Sequence, residues 1–185
     1  MDLRQRLRRL TDQSVEHDRE QHRIRGRISS MRAEIQRNTE QMPSAQADAE
    51  SAHAWAKADF TASIEGKDFD KPGQMGAAIV AAGRRLDADK IESTVLGKIG
   101  AFSLSLQHQY THAYTVEIAG KDTYDVFLDN VNEADPVGTG QRVANTIRKL
   151  VDKPEQLEER NAELEGQIPS LEKQLGPWAD AGKLA

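Results

Sequence analysis

The stretch Phe102–Leu128, FSLSLQHQYTHAYTVEIAGKDTYDVFL, decides the expected fold of this chain. Apolar and polar side chains alternate along Phe102–Leu106, Tyr114–Ile118 and Tyr124–Leu128, which is the period of a half-buried β-strand. Gly120 separates the last two runs, as expected of a turn. Consecutive strands with short connections predict an antiparallel meander.

The residues before this stretch add two strands and one helix. Alternation over residues 59–64 and over Thr94–Leu96 predicts strands, and Pro72 followed by Gly73 marks the start of a helix. The fold class predicted is α+β, a small antiparallel sheet of order β-α-β-β-β-β with one packed helix. The helix spans Gln74–Leu86, with an apolar face of Met75, Ile79, Ala82 and Leu86 and with Arg84 and Arg85 outward.

The N-terminal residues show heptad spacing that starts at Leu3 and holds for seven heptads, with a polar break from Ser14 to Gln21. Pro43 lacks a backbone donor, so we expect a kink or a stop near Met42 and a second helical piece over 45–58. The central part of this seam is Ile24, Ile28, Met31, Ile35 and Asn38.

The same spacing runs from Val143 to Trp178, where Pro154 indicates a helix restart and Pro169 a bend. Two seams that bracket one compact segment suggest two long helices that pair in antiparallel fashion as a coiled-coil arm, with Asn38 facing Asn161. Pairing of each arm with a second copy or with another protein is the alternative. The C-terminal seam comprises Leu157, Asn161, Leu164, Ile168 and Leu171.

These patterns divide the chain into four parts. We expect an N-terminal helical arm over 1–58, an α+β domain over 59–137, a C-terminal helical arm over 138–178 and a tail over 179–185. The ending "GKLA" contains no helix stop, so we expect that a longer polypeptide was trimmed here.

Composition narrows the class of protein. With 37% hydrophobic and 5% aromatic residues, the 185-residue chain is lean for one compact core and typical of long solvated helices. The absence of cysteine excludes disulfides and thiolate zinc sites. No apolar run approaches the ~20 residues of a bilayer span, so we expect no membrane association and a cytoplasmic protein.

Positive charge is concentrated at the N-terminus. Residues 1–37 carry ten Arg and six acids, a net +4, whereas residues 38–185 carry 15 basic and 24 acidic residues, a net −9. Arginine forks pair with phosphate, so this arm is a candidate for DNA contact, although an exposed coiled coil also displays charge. The loop Gly97-Lys98-Ile99-Gly100 has the two-glycine spacing of backbone clamps, and Lys67 follows Gly66 in a turn. The candidate nucleic-acid-binding residues are Arg4, Arg6, Arg8, Arg9, Arg23, Arg25, Arg27, Lys67 and Lys98.

Catalytic and metal-binding patterns are weak. His108 and His112 are four residues apart, but they fall at a predicted hairpin tip with no third ligand in view, which favours a solvated turn. His17 lies on the seam and is expected to be a satisfied seam histidine. The acids from Asp122 to Asp135 follow a strand and indicate a solvated edge. We therefore predict no catalytic residue, no metal site and no cofactor.

Four segments carry a family resemblance: FTASIEGKDFDKPGQMGAAIVAAGRRL, LGKIGAFSLSLQ, YTVEIAGKDTYDVFLD and RVANTIRKL. Together they resemble the C-terminal region of very large DNA helicase/adenine-specific DNA methyltransferase-like proteins of plasmids, phages and conjugative elements, over about residues 25–178. Ala101 replaces the family's second glycine before Phe102, and the helicase and methyltransferase motifs are absent. The matching positions are Gly66, Lys67, Gly76, Gly83, Ile99, Gly100, Phe102, Gly120 and Tyr124.

The resemblance implies a non-catalytic accessory module of a larger protein, contributing DNA association or the positioning of protein partners. ATP-dependent helicase or methyltransferase activity would belong to that parent. The alternative is a structural coiled-coil spacer or oligomerisation module without nucleic-acid affinity. The candidate partners are DNA, the rest of a larger polypeptide and a second copy of this chain.

Overall fold

The computed structural model describes residues 3–179. The elements are α1 (Leu3–Lys57), β1 (Ala62–Ile64), β2 (Lys67–Phe69), α2 (Pro72–Asp89), β3 (Ser93–Ile99), β4 (Phe102–Tyr110), β5 (Ala113–Ala119), β6 (Thr123–Leu128), α3 (Pro136–Lys149), a 3-10 turn (Leu150–Asp152) and α4 (Lys153–Glu172). The six strands form one antiparallel sheet in the order β2-β1-β3-β4-β5-β6, so the fold class is α+β.

The residues of the fold group into two compact units according to their mutual contacts. The helical unit comprises residues up to Gln41 and from Gln156, and the α+β unit comprises Met42–Glu155. Helix α1 contributes to both units. Among residues 3–179, no helix combines the length and the apolar composition that a bilayer span requires.

Helix α1 continues through Pro43 to Lys57, so of the expected kink or stop near Met42 the stop is wrong. A proline inside a helix costs about 3 kcal/mol because it removes one backbone hydrogen bond. Burial of the residues that follow opposes this cost: Ala45 and Ala52 are fully buried and Trp55 is nearly so. Tertiary packing therefore overrides the local signal.

The sheet has one strand more than the sequence predicts. Glu65 and Gly66 both have positive φ values, 49° and 78°, and form a two-residue hairpin loop that returns the chain as β2. The expected order β-α-β-β-β-β is corrected to β-β-α-β-β-β-β. Strand β2 was missed because its three residues, Lys67–Phe69, are mostly exposed and show no apolar alternation.

The core of the α+β unit lies between the inner face of the sheet and helices α2 and α3, whereas the sequence predicts only one packed helix. Met75, Ile79 and Leu86 of α2 are buried in it, and so are Val143 and Ile147 of α3. The C-terminal heptad count placed these α3 residues in the arm. This placement is wrong, because α3 packs in the core of the α+β unit rather than in the arm. An apolar stripe at helical spacing does not identify the element against which it packs.

Helices α2 and α3 approach closely at two glycines. A Cβ atom on Gly76 would overlap the carbonyl oxygen of Pro136, and one on Gly140 would overlap that of Pro72. Only glycine permits this backbone contact. The two helices therefore cross at a fixed point, near the N-terminal turn of each.

The helical unit has an apolar core of its own. Its members come from α1, from α4 and from the segment after α4, and they occupy positions of the heptad spacing. Buried members are Ile24, Ile28, Met31, Leu164, Ile168 and Leu171, with Ile35 and Leu175 packed against them.

Candidate functional site

Helices α1 and α4 run antiparallel, as their side-chain contacts show. The guanidinium of Arg32 donates to the carboxylate of Glu172 at 2.6 Å, whereas Asn38 contacts Asn161. Residue numbers rise along α1 as they fall along α4. Within the helical unit, α1 therefore contacts α4 through these side chains.

Asn38 and Asn161 form the polar position of the seam. The Nδ2 of Asn38 donates to the Oδ1 of Asn161 at 2.9 Å, and the Nδ2 of Asn161 donates to the Oγ1 of Thr39 at 3.4 Å. The predicted facing of these two asparagines is confirmed. Because amide pairs form only in one alignment of the helices, such a position favours a single register.

A charged cluster flanks the seam beside this pair. Arg160 donates from Nε to Glu34 at 2.7 Å and from Nη1 to Glu163 at 2.8 Å. The hydrogen bond from Arg160 lowers the pKa of the Glu34 carboxyl, and Glu34 in turn raises the pKa of Arg160. All three side chains are partly exposed, so water screens their attraction and they contribute alignment more than stability.

The polar residues that interrupt the seam, His17 and Gln21, contact backbone groups rather than side chains. Gln21 donates to the carbonyl of Gln174 at 3.1 Å and accepts from the N–H of Gly176 at 2.9 Å. A ring nitrogen of His17 lies 3.0 Å from the carbonyl oxygen of Gly176, so His17 is the satisfied seam histidine that the sequence predicts. These polar side chains hold the segment that follows α4 through its backbone groups.

The seam continues beyond these contacts toward the N-terminus, where Leu10 is half-buried and Leu3 and Leu7 are exposed. Leu3 is 82% exposed and Leu7 is 55% exposed, and both lie N-terminal to His17 and Gln21. Three predicted arginines, Arg6, Arg8 and Arg9, are exposed on the same turns. Heptad leucines and arginines therefore share one accessible helical segment.

Farther along α1, glutamates partly neutralise the arginines. Arg23 donates to Glu20 at 2.8 Å, and this hydrogen bond raises the pKa of Arg23. Arg25 and Arg27 are exposed. Part of the positive charge that the sequence assigns to this arm is therefore engaged in ion pairs with glutamates. The ion pairs are Arg19 with Glu16, Arg23 with Glu20 and Arg32 with Glu172.

The two predicted lysines lie in the α+β unit, in different surroundings from the arginines. Lys67 is exposed on β2, and Lys98 is exposed on β3 opposite Ser63. A cleft of about 730 Å³ beside Lys98 is also lined by Asp68 and Asp70. Two carboxylates next to one ammonium disfavour the approach of a phosphate backbone.

The glycines of the predicted backbone clamp have structural roles. A Cβ on Gly97 would overlap the carbonyl oxygen of Ser63 on the neighbouring strand. Gly100 has a φ of 56°, and a Cβ there would meet the Trp55 ring at 3.0 Å. The pair allows strands and α1 to approach closely, as a bulge and a turn do.

His112 lies at the hairpin tip, as expected, but it has a specific partner. Its Nδ1 lies 2.7 Å from Oδ2 of Asp87 at the end of α2, and Asn132 donates to the same oxygen at 3.1 Å. Hydrogen bonds from His112 and then from Asn132 lower the pKa of Asp87. The turn is exposed, as the sequence predicts, but Asp87 of α2 and Asn132 of the loop after β6 also supply partners to His112.

A pocket of about 340 Å³ adjoins this histidine and is also lined by His108 and Tyr114. The rings of His108 and Tyr114 meet edge to face at 5.2 Å, and the Tyr114 hydroxyl donates to the carbonyl of Ile91 at 3.3 Å. Burial raises the pKa of Tyr114. Across residues 3–179, no three His, Cys, Asp or Glu side chains are grouped so as to hold a metal ion.

Sequence reasoning missed one buried carboxylate. Asp48 on α1 is 2% exposed and accepts hydrogen bonds from the N–H groups of Lys121 and Asp122, at 2.6 and 2.9 Å. It also accepts from the Tyr124 hydroxyl at 2.9 Å, and burial raises the pKa of Tyr124. The only signal in the sequence is an acid among alanines in 45–58, which does not identify partners 73 to 76 residues away.

The acids after β5 are partly structural rather than a solvated edge throughout. Asp135 caps α3 by accepting from the N–H groups of Val137 and Gly138, at 3.3 and 2.7 Å. Asp before Pro136 is a recognisable N-cap signal. Asp129 accepts from the Tyr110 hydroxyl at 3.4 Å.

Comparison of the chain with protein-family models, curated proteins and solved structures gives no match.

Proposed function

We propose that this chain is a non-catalytic accessory module in which an antiparallel coiled coil of α1 and α4 presents the first turns of α1 to a protein partner. The exposure of Leu3 and Leu7 at seam positions carries the proposal. Burying a leucine stabilises a complex by about 1.5–3 kcal/mol, and heptad spacing aligns these leucines for a helix.

The paired region supplies a rigid base for this segment. The buried seam, the Asn38–Asn161 pair and the ion pairs of Arg160 favour one alignment of α1 on α4. A continuous α1 transmits that alignment to its first turns. A binding segment held in its bound conformation loses less conformational entropy on association.

The setting within a larger, cytoplasmic DNA helicase/methyltransferase-like polypeptide is part of the proposal and is supported by the sequence resemblance. In that setting the module positions a partner, and any reaction belongs to the parent.

Hydrogen exchange tests the coiled coil on the intact chain. We expect slow exchange of α1 amides over 24–38 and faster exchange over 3–14, because only the former segment is packed along α4. Uniformly fast exchange along α1 would contradict the pairing. Sedimentation should show a monomer, whereas a stable dimer would support the oligomerisation alternative.

Association with DNA is the second candidate, favoured by the exposed Arg6, Arg8 and Arg9. It predicts micromolar binding to duplex or single-stranded DNA that falls steeply with salt, and weaker binding when Arg4, Arg6, Arg8 and Arg9 become Ala. Lack of retention at low salt would exclude this candidate. The ion pairs along α1 and the exposed leucines, which phosphate binding does not require, make it second.

A further inference from the structure

We infer that the first turns of α1 dock an acidic amphipathic helix of another protein. The inference rests on the proposed function and names the chemistry of the partner. The docking segment is residues 3–13, which precede the residues that contact the segment after α4.

The apolar part of the docking segment is a stripe of three leucines. Leu3, Leu7 and Leu10 follow steps of four and three, which place them on one side of the helix. They extend the seam that buries Ile24 and Ile28 against α4. A stripe with this geometry fits the corresponding stripe of a second helix better than it fits a flat surface.

Arginines flank this stripe on both sides. At 3.6 residues per turn, Arg4 and Arg6 lie about 70–90° from the centre of the leucine stripe, one on each side. These are the e and g positions, whose charges select the partner of a coiled coil. Two basic flanks select a helix whose own flanks carry Glu or Asp.

A second copy of this chain is disfavoured as the occupant. Pairing two docking segments in either direction would bring Arg4 and Arg6 of one copy toward the same residues of the other, within about 15 Å of helix. Like charges at such positions oppose pairing. The leucine stripe therefore calls for a partner with the opposite charge.

Two synthetic helical peptides test the inference against the intact chain. They share one leucine seam and differ only at e and g, which are Glu in the acidic peptide and Lys in the basic peptide. Fluorescence anisotropy should show binding of the acidic peptide, at least about tenfold tighter than binding of the basic peptide and weakened by salt. Equal binding of both peptides, or binding of neither, would overturn the inference.

Charge-reversal variants locate the binding surface. Arg4→Glu with Arg6→Glu should weaken binding of the acidic peptide about tenfold and favour the basic peptide. Arg8→Glu with Arg9→Glu changes the net charge equally, but these residues lie about 130° from the stripe, so we expect a change of less than about threefold. An equal loss in both double variants would show that net charge alone drives binding, and would overturn the inference.

Removal of the leucines and a parallel measurement with duplex DNA complete the test. Leu3→Ser with Leu7→Ser should abolish binding of both peptides, while circular dichroism confirms that the chain remains helical. Duplex DNA binding without peptide binding would replace the inference with the nucleic-acid candidate. If the wild-type chain does not bind the acidic peptide but its amides over 24–38 are protected from exchange, only the assignment of the partner is wrong. If those amides are not protected, the proposed module itself is wrong.

Discussion

Asn38 on α1 donates a 2.9 Å hydrogen bond to Asn161 on α4 inside a seam that is otherwise built from isoleucine, leucine and methionine. Both side chains are partly buried, so neither amide is fully solvated. The pair therefore constrains the alignment of the two helices as well as their stability.

Replacing one asparagine should destabilise the pair and loosen its register. Asn38→Leu leaves the amide of Asn161 without its main partner, at a cost of about 1 kcal/mol in the free energy of unfolding. Asn38→Leu with Asn161→Leu should recover that stability but populate additional oligomers, because nothing polar then specifies the alignment. Urea denaturation and sedimentation velocity measure the two effects.

Gln36→Leu is the matched control, since Gln36 is exposed on α1 and bonds only to Glu40 in its own helix. It should change neither stability nor assembly appreciably. An Asn38→Leu chain that behaves like this control would argue against a register role for the asparagine pair.

The crossing of α2 and α3 should not tolerate a methyl group at Gly76. A Cβ there overlaps the backbone carbonyl of Pro136, which cannot move without displacing α3. We expect Gly76→Ala to lower the free energy of unfolding by about 3 kcal/mol, at the upper end of overpacking effects. Thermal denaturation followed by circular dichroism measures this loss.

Gly73→Ala provides the comparison one turn earlier in α2. Its Cβ would meet only the Val137 side chain, at an ordinary 3.5 Å. This variant should be nearly neutral. Similar losses in the two variants would contradict a specific role for the α2–α3 contact, because alanine favours the helix over glycine at both positions.

The carboxylate of Asp48 should be a major determinant of stability in the α+β unit. Asp48→Ala removes acceptors from two backbone N–H groups and from the Tyr124 hydroxyl, and hydrogen bonds to a charged group contribute about 1.5–3 kcal/mol each. We expect a loss of about 3–5 kcal/mol in urea denaturation. Asp48→Asn should lose less, because the amide retains one acceptor oxygen.

Glu50→Ala serves as the control, because Glu50 is exposed two residues farther along the same helix. Its effect should stay within about 0.5 kcal/mol. If Asp48→Ala were equally mild, the turn between β5 and β6 would not depend on this carboxylate.

The Asp87–His112 contact should make stability depend on acidity. The hydrogen bonds of this contact lower the pKa of Asp87 in the folded chain. The contribution of Asp87 to the free energy of unfolding is therefore complete above the pKa of the unfolded chain, about 4. That contribution is lost as the pH falls through the lower folded pKa. Denaturation between pH 6 and pH 2 should therefore show a steeper acid loss in the wild type than in Asp87→Asn.

Asp89→Asn, an exposed carboxylate on the same helix, should leave the acid profile of the wild type unchanged. Identical profiles for wild type and Asp87→Asn would mean that the His112 contact contributes nothing to folding.

Local periodicity predicted the elements whose apolar faces repeat, and it failed where such a face has more than one possible partner. The face of α2, through Met75, Ile79 and Leu86, follows from spacing along one helix, and the facing of Asn38 and Asn161 follows from matching the spacing of two helices. The packing of Val143 and Ile147 against the sheet does not, because the same spacing suits an arm or a core.

The remaining misses have related physical causes. Strand β2 is defined by hydrogen bonding to β1 and by the positive φ values at Glu65 and Gly66 rather than by its own side chains. Asp48 and His112 bind groups 73 and 25 residues away, and no spacing rule along the chain connects such positions.

Cross-linking tests the pairing of α1 with α4 most directly, and the cysteine-free sequence allows one reactive pair to be introduced at a time. Asn38→Cys with Asn161→Cys, treated with a short bismaleimide, should give an intramolecular cross-link in the monomer. Asn38→Cys with Ser170→Cys, displaced about 14 Å along α4, should give little. Cross-linked dimers alone, or equal yields from both pairs, would contradict the antiparallel pairing on which the account depends.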